Sequence, residues 1–548
     1  MNYHSKPLLI IALAAITALT FFSACEDNIS VKDTPPQSDS QTAAPFNQNP
    51  ETFQQVDEPR FIEGEYIVIF EEQWDREISE QIGRQADQLR EEILHAHGIH
   101  EDVVLNRYRY VIKGFAAALS KEQVEALKND PRIARVSPNA LLRLASHSAV
   151  TVETEAAEGV ESHLATTSSS QFGNWGVARV GGPLDGTGLT AWVLDTGIDL
   201  THPDLNVDVQ NSASFIANET ANDGNGHGTH VAGIIASTGQ NTGIQGVAAG
   251  ATVVAVKVCH DDEQLGCPEN SVINGIDFIS IRAQPGDIVN MSLGGPDPFE
   301  QLTDIDDAVI NAADNGIRFA IAAGNDRMDA ADFTPARVIH QNTWTVSAFR
   351  QGDEFVQIFD WNTPNCNQNQ NPNIGSNFGN PPVNYSAPGE NILSLWRNGG
   401  TRTTCGTSMA APHLAGLLLT VPNDISVDGH VSNDPSPSAD PIAAYTPLSA
   451  SISGATIVES GQQNTWTANP EYGTGTYSYQ WYYRDHISDP WTQAGSNSET
   501  FSWTFHNQSF SIENRYIRVD VTSGSENASS ELTVSVSSEN CDPNEVFC

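Results

Sequence analysis

Three polar residues of this sequence stand where an apolar segment begins or ends, and together they could do nucleophilic chemistry. Asp195 closes the run "AWVLD", His227 lies between two glycines in "NGHGTHVAG", and Ser408 opens the run in "CGTSMAAPHLAGLLL". A serine becomes a nucleophile when a base takes its proton and a third group orients that base. Asp195, His227 and Ser408 are therefore candidates for orienter, base and nucleophile.

Asn325 is a candidate for a fourth role, because its amide follows the small residues of "AIAAGND" and could donate to a developing oxyanion. Structural explanations exist as well: Ser408 could cap a helix, and Asn325 could occupy a turn. Asp199 and Asp204, shortly after Asp195, could be turn residues only.

A metal site has to be considered because His230 follows His227 by three positions. Zinc peptidases with the His-Glu-x-x-His motif have their histidines four apart and a glutamate base, and both features are missing here. We therefore expect His230 to be packed in a helix. Metal ligands stay unassigned, since no acidic loop has a spacing that defines calcium ligands.

The elements that must position these residues lie between about residues 172 and 420, where short apolar runs alternate with helical stretches. Strands are expected at 189–197, 251–258, 287–295, 317–325 and 343–348, and helices at 270–283 and 301–315. Runs that are apolar on both faces and separated by helices predict an α/β fold, a parallel sheet covered by helices on both faces. Ligands of such sheets bind at the carboxyl ends of the strands.

The motifs "VLDTGID", "GHGTHVAG", "AAGN" and "GTSMAAPH", in this order, resemble those of the subtilisin-like serine peptidases, or subtilases. The resemblance covers residues 172–420 and implies a serine endopeptidase that needs no cofactor for its chemistry, although structural calcium is common in the family. It implies that Asp195, His227 and Ser408 are the triad and that Asn325 is an oxyanion donor. It further implies that a segment of "NMSLGG" binds the substrate backbone, namely Ser292, Leu293 and Gly294.

Two other functions compete with this one. An α/β-hydrolase needs Gly-x-Ser-x-Gly, but Ala410 occupies the second glycine position. A catalytically silent surface adhesin or binding lipoprotein would use its C-terminal region for binding. The presence of all four catalytic residue types argues against the adhesin.

Residues 64–144 have a β-α-β-α-β pattern typical of a small α+β module. Ser120 and Gln123 have capping-box spacing at the start of its second helix, and "IARVSPNALLRL" predicts its last strand. The module is similar to the inhibitor I9-type propeptide of subtilases, an intramolecular inhibitor whose exit segment occupies the cleft until it is cut. The polar linker 145–171 is the expected place of maturation.

The N-terminus predicts export. Residues 1–24 contain Lys6, an apolar run at 8–22 and two small residues before Cys25, a pattern that resembles a bacterial lipoprotein signal. We expect lipidation of Cys25, followed by a disordered tether at 25–63, and an ordinary secretory signal is the alternative. The expected location is outside the cytoplasm, with membrane contact only through the lipid and release after propeptide cleavage.

The strongly acidic composition limits the partners. The chain of 548 residues has a formal charge of -42 and a pI near 4.4, so a phosphate backbone would be repelled over most of its surface. Nucleic acid is therefore excluded as a partner, and protein or peptide substrates are expected.

Six cysteines remain beside Cys25, an even number that suits an oxidising compartment. Their spacing suggests local pairs, although connectivity does not follow from sequence and zinc binding is the competing interpretation. Cys259 with Cys267 and Cys541 with Cys548 could each close a small loop, which would leave Cys366 with Cys405.

The last part of the chain predicts a linker and a β domain. Residues 421–447 are rich in Pro, Asp and Ser, as linkers are. Residues 448–548 show short strands separated by turn signals, which indicates an immunoglobulin-like β-sandwich and a C-terminal tail, with Trp481 as a core residue.

Overall fold

The computed structural model describes residues 60–71, 79–144, 175–297, 303–360, 366, 372–422, 425–472, 476–524 and 526–538. All of them belong to one unit, which extends from Val56 to Cys548. The predicted signal, Cys25, nearly all of the tether, the linker 145–171, Cys541 and Cys548 lie outside the described residues.

The N-terminal module is a sheet with two helices on one face. Its elements are β1 Arg60–Phe70, α1 Glu80–Ala96, β2 Val104–Tyr108, β3 Gly114–Ala118, α2 Lys121–Lys128 and β4 Ile133–Leu144. The strands are antiparallel in the order β4-β1-β3-β2. The predicted capping box is present at the start of α2, where Ser120 and Gln123 exchange side-chain to backbone hydrogen bonds.

The central region contains the elements that position the candidate site. They are α3 Trp175–Arg179, β5 Leu184–Asp185, β6 Thr190–Asp195, β7 Asn206–Val207, β8 Ala213–Ser214, α4 His227–Ala236, β9 Ala248–Ala249, β10 Thr252–Lys257, β11 Cys267–Pro268, α5 Glu269–Ser280, β12 Ile288–Met291, β13 Leu293–Pro296, α6 Thr303–Asp314, β14 Arg318–Ala322, β15 Phe333–Thr334, β16 Thr343–Arg350, β17 Glu354–Phe355, β18 Val383–Pro388, β19 Ile392–Trp396, β20 Gly400–Thr404, α7 Thr407–Thr420, β21 Ser426–His430 and β22 Pro441–Ala444.

The large sheet runs in the order β21-β22-β18-β16-β14-β12-β6-β10-β7. Neighbours from β22 to β7 are parallel, and the edge strand β21 is antiparallel. Apolar residues of α5 and α6 pack on one face, and those of α4 and α7 pack on the other. The predicted α/β class, a parallel sheet covered on both faces, is confirmed. In the described part of the chain, no helix combines the length and the hydropathy needed to cross a membrane.

One predicted strand, 287–295, is two strands in the structure. β12 ends at Met291 and stays in the large sheet, whereas β13 begins at Leu293 and pairs with other elements. Ser292 separates them, and its side chain and its carbonyl both bond to Ser408. The break arises because tertiary contacts of Ser292 replace the ladder bonds of a continuous strand.

The segment 421–447 is not the linker that its composition predicts. β21 and β22 extend the large sheet, and Val431 and Ile442 pack with Phe349 and Phe355. The carboxyl of Asp440 also anchors the segment, since Ser347 Oγ donates to Asp440 Oδ2 at 2.6 Å. A few isolated apolar residues suffice at a sheet edge, and for this reason a Pro, Asp and Ser-rich composition concealed the strands.

We expect the buried carboxyl of Asp440 to make the stability of the chain depend on pH. Burial, followed by the charge of Asp434, raises the pKa of Asp440 to about 7. A carboxyl whose pKa is raised by folding stabilises the fold fully below its unfolded pKa, and this contribution falls by about 1.4 kcal/mol per pH unit until the folded pKa is passed. Thermal unfolding of the Ser408→Ala chain between pH 5 and 8 measures the loss, which Asp440→Asn should reduce. An unchanged slope in Asp440→Asn would assign the loss to other groups.

The C-terminal region consists of two sheets around one apolar core. Its strands are β23 Ser449–Ser453, β24 Ile457–Val458, β25 Gln463–Glu471, β26 Ser478–Arg484, β27 Thr492–Ala494, β28 Thr500–Thr504, β29 Glu513–Ser523 and β30 Glu526–Val536. They form the sheets β23-β25-β28 and β24-β30-β29-β26-β27. Trp481 is fully buried between them, as predicted, and the immunoglobulin-like topology stays a prediction.

Candidate active site

Asp195 and His227 form a buried pair. Asp195 is the last residue of β6 and His227 the first of α4, and His227 Nδ1 lies 2.7 Å from Asp195 Oδ1. Burial lowers the pKa of His227, but the charge and hydrogen bond of Asp195 outweigh it, and the pKa is raised overall. Among the described residues, His227 Nε2 has no hydrogen-bond partner. The imidazole is thus oriented at one nitrogen and able to exchange a proton at the other.

Two glycines allow this close approach. Gly226 has a φ of 114°, and a Cβ there would lie 2.2 Å from the ring of Trp396. A Cβ at Gly228 would lie 2.0 Å from the carbonyl oxygen of Gly197. Gly226 is therefore required by its backbone conformation and by Trp396, and Gly228 by the carbonyl of Gly197, since a side chain at either position would clash.

Asp223 is a buried carboxylate that the sequence analysis missed. It accepts hydrogen bonds from the Thr196 hydroxyl at 3.0 Å and from the Gly226 backbone N–H at 2.7 Å. Thr229 donates to the other oxygen through its N–H and its hydroxyl. Because Thr196 follows Asp195 and Gly226 precedes His227, Asp223 joins the two segments. Its place four residues before His227, among glycines, was the available signal.

Ser408 is the second residue of α7 and is fully buried. Its Oγ donates to the carbonyl oxygen of Ser292 at 3.1 Å, and Ser292 Oγ donates to the carbonyl of Ser408 at 2.9 Å. Within the described residues, Ser408 makes no hydrogen bond to His227, because His227 Nε2 has no partner there. Catalytic hydrogen bonds are often formed only in the substrate complex.

Asn325 lies just after β14 and is joined to the segment of Ser408 by Thr407. The N–H of Thr407 donates to Asn325 Oδ1 at 2.9 Å, and its hydroxyl donates to the same oxygen at 3.0 Å. Because Oδ1 is held in this way, Nδ2 is the end of the amide that can donate to a developing oxyanion. Thr407 was also missed, although it immediately precedes Ser408 in the sequence.

The exit strand β4 of the N-terminal module lies on the predicted backbone-binding segment. Leu144 pairs with Leu293, and Arg143 pairs with Gly294, in antiparallel register. β4 also pairs with β11 on its other side, where Leu142 lies opposite Cys267. An extended chain is thus held between two segments of the central region, in the manner of a peptide that adds a strand to a sheet edge.

Two disulfides lie close to these segments. Cys259 pairs with Cys267, which fixes β11, and Cys366 pairs with Cys405, which lies shortly before Ser408. Both pairs match the predicted ones, Cys259 with Cys267 from its short spacing and Cys366 with Cys405 as the pair that remained. A crosslink restricts the conformations of the loop it closes, so both sides of the cleft are braced.

Other polar residues have structural roles. His230 Nε2 lies 2.9 Å from the carbonyl of Arg402, and burial lowers the pKa of His230 to about 3. Asp199 and Asp204 accept hydrogen bonds from nearby turns. In the parts of the chain that are described, no group of three or more His, Cys, Asp or Glu side chains could hold a metal ion. The structural calcium stays a prediction.

Two family models match parts of this chain. Residues 186–425 match the model of the subtilase family, and residues 65–145 match that of peptidase inhibitor I9. A crystal structure of a cold-adapted subtilisin-like serine proteinase aligns at 30% identity with a TM-score of 0.41, covering 50% of this chain and 99% of that one.

Two relatives define the extent of the similarity. Alkaline serine exoprotease A of Vibrio alginolyticus is 31% identical over 336 residues, which cover 58% of this chain and 53% of that protein. The chain thus spans about half the length of this relative. The extracellular serine proteinase of Thermus sp. (strain Rt41A) is 30% identical over 423 residues, which cover 73% of this chain and 87% of that protein. Most of that second protein is matched, and the chain therefore belongs to the subtilase family, with an inhibitor I9 module ahead of its peptidase domain.

Proposed function

We propose that the chain is the precursor of a serine endopeptidase that hydrolyses peptide bonds through an acyl-enzyme on Ser408. The observation that carries the proposal is the exit strand, an extended peptide whose last described residue pairs with Leu293, beside Ser292 and its contact with Ser408. His227, the first residue of α4, is oriented by Asp195 at the end of β6, the strand next to β12.

The chemistry follows from the groups present. Ser408 Oγ attacks the scissile carbonyl carbon while its proton passes to His227 Nε2, and the carbonyl π electrons move to the oxygen. Collapse of this intermediate breaks the C–N bond, and His227 gives the proton to the leaving amine. Water then repeats the sequence and releases the acid. Asp195 holds the Nδ1 proton of His227 throughout and stabilises the imidazolium.

Negative charge on the carbonyl oxygen needs donors that are already in place. We assign this role to Asn325 Nδ2 and to the backbone N–H of Ser408, close to the N-terminus of α7. The helix dipole adds a favourable field at this position. Preorganised donors of this kind are worth roughly 100-fold to 1000-fold in turnover each.

The precursor is proposed to be inhibited by its own module and to cut itself. β4 fills the segment where a substrate would bind, and it ends at Leu144 against Leu293. The carbonyl oxygen of Ser292, the residue just before β13, accepts a hydrogen bond from Ser408 Oγ. We therefore expect the cut bond within the first few residues after Leu144, at the N-terminal end of the linker 145–171.

Export and anchoring complete the proposal. The N-terminal sequence supports translocation and lipidation of Cys25, so the precursor would be held outside the cytoplasm by its lipid. Cleavage after the module would separate the peptidase from this anchor. The acidic surface and the disulfides are consistent with such surroundings.

Covalent labelling tests the function. A fluorophosphonate reacts with a serine only where a base and an oxyanion site activate it, so the mature protein should be labelled at Ser408 and not at other serines. Mass spectrometry of the digested protein identifies the labelled peptide. A mature protein without label would favour the silent adhesin.

A further inference from the structure

The exit strand makes one ion pair inside the candidate cleft. The guanidinium of Arg143 contacts the carboxylate of Asp326, the residue that follows Asn325. Their side chains are 32% and 19% exposed, so the pair is partly shielded from water. Neither residue takes part in the chemistry described above, and nothing in the sequence pattern assigned Asp326 a role.

Asp326 is held in place independently of Arg143. Its backbone N–H donates to Asn377 Oδ1 at 2.8 Å, and the N–H of Met328 donates to the same oxygen at 3.0 Å. The other end of the Asn377 amide donates to the carbonyl of Ala323 at 2.8 Å. Because Asn377 is fully buried, the turn that carries Asp326 is fixed before any peptide binds.

The register relates Arg143 to the cut bond. Arg143 lies opposite Gly294, and the contact of Ser408 Oγ is with Ser292, two residues before Gly294 in the sequence. A substrate bound in this register has the residue that will be acylated opposite Ser292. The residue opposite Gly294 is then the third before the cut bond.

The neighbours of Arg143 have different surroundings. Leu142 and Leu144 are buried in the apolar core, with 1% and 7% exposure. Successive side chains of a strand point to opposite faces, so Arg143 alone of the three lies on the face that holds Asp326. The end of the exit strand therefore presents a buried apolar residue, a basic residue and a second buried apolar residue, in that order.

We propose that Asp326 is a specificity-determining residue that selects arginine or lysine as the third residue before the cut bond. This proposal rests on the proposed peptidase function and names part of its substrate class. The carboxylate attracts a cation at this position and repels a carboxylate, in a chain whose overall charge already disfavours acidic peptides. Arg143 would use the same contact to hold the propeptide until it is cut.

The test compares cleavage of matched peptides by the mature enzyme. The peptides differ only in the third residue before the cut bond, which is Arg, Gln or Glu. We expect kcat/KM for Arg to exceed that for Gln by about 5-fold at low salt, as for a partly exposed ion pair, and to approach it at high salt. The difference should reside mainly in KM, since the ion pair forms in both ground state and transition state.

Two variants assign the effect. Asp326→Asn should bring the Arg to Gln ratio close to one, while Asp332→Asn, with no side-chain contact to the exit strand among the described residues, should keep the wild-type ratio. Equal rates for Arg and Gln in the wild type, or an undiminished ratio in Asp326→Asn, would overturn the assignment. Fluorophosphonate labelling of the same samples separates the two proposals: labelled enzyme without charge preference refutes only the role of Asp326, whereas unlabelled, inactive enzyme refutes both.

Discussion

Replacing Ser408 with alanine is expected to lower turnover by about a million-fold and to leave the precursor uncut. The loss is large because Ser408 Oγ is the only atom that forms the acyl bond in the proposed mechanism, so base and oxyanion donors have nothing to activate. Hydrolysis of a chromogenic peptide measures turnover. N-terminal sequencing of wild type and variant, expressed alike, measures processing.

Thr420→Ala is the matched control for this experiment. Thr420 is at the far end of the same helix, α7, where its hydroxyl bonds to the carbonyl of Gly416 at 2.8 Å. It should be processed like the wild type, with a mature N-terminus within a few residues after Leu144. Normal processing of Ser408→Ala would show that another protease makes the cut, and retained turnover would show that Ser408 is not the nucleophile.

Replacing Asp195 with asparagine is expected to lower kcat by about 10,000-fold without unfolding the protein. An amide at this position can donate to Nδ1 of His227 and would then favour the wrong tautomer, in which Nε2 carries the proton and cannot accept one from Ser408. The fold should persist because asparagine has nearly the same volume and His227 stays hydrogen-bonded. Steady-state kinetics and thermal unfolding distinguish the two effects.

The pH profile adds a second readout for Asp195. The proposed base acts when His227 is neutral, and its raised pKa delays activity to higher pH. Asp195→Asn removes the main charge that raises this pKa, so the acidic limb of the residual activity should move to lower pH. Asp185→Asn, the same change at an exposed position, should leave both the rate and the limb in place. An unmoved limb in Asp195→Asn would mean that another group controls it.

Local patterns predicted much of the fold correctly. The apolar runs at β6, β10 and β14 are strands that are buried beyond their first residue, because each has a neighbour on both sides in the large sheet. The capping box of Ser120 and the disulfide between Cys259 and Cys267 followed equally from residue types and spacing. In each case the partners are close along the chain, or the pattern repeats with the period of the element.

Other features could not be predicted because their partners are distant in sequence. The split at Ser292, the anchoring of Asp440 by Ser347, and the bond between Thr407 and Asn325 each join segments that only the folded chain brings together. The Pro, Asp and Ser-rich composition of residues 421–447 predicted a linker, which is wrong, because two strands there extend the large sheet. A sheet edge needs few apolar residues, so its sequence resembles that of a loop.

The sequence by itself determined which residue types stand at the ends of buried strands and helices, and so identified Asp195, His227, Asn325 and Ser408 as candidates. The tertiary structure alone decided how a peptide lies against them. The register of β4 with β13, and with it the meeting of Arg143 and Asp326, depends on pairing between segments about 150 residues apart. Such pairing is fixed by the packing of the whole module on α5 and α6, which no local pattern records.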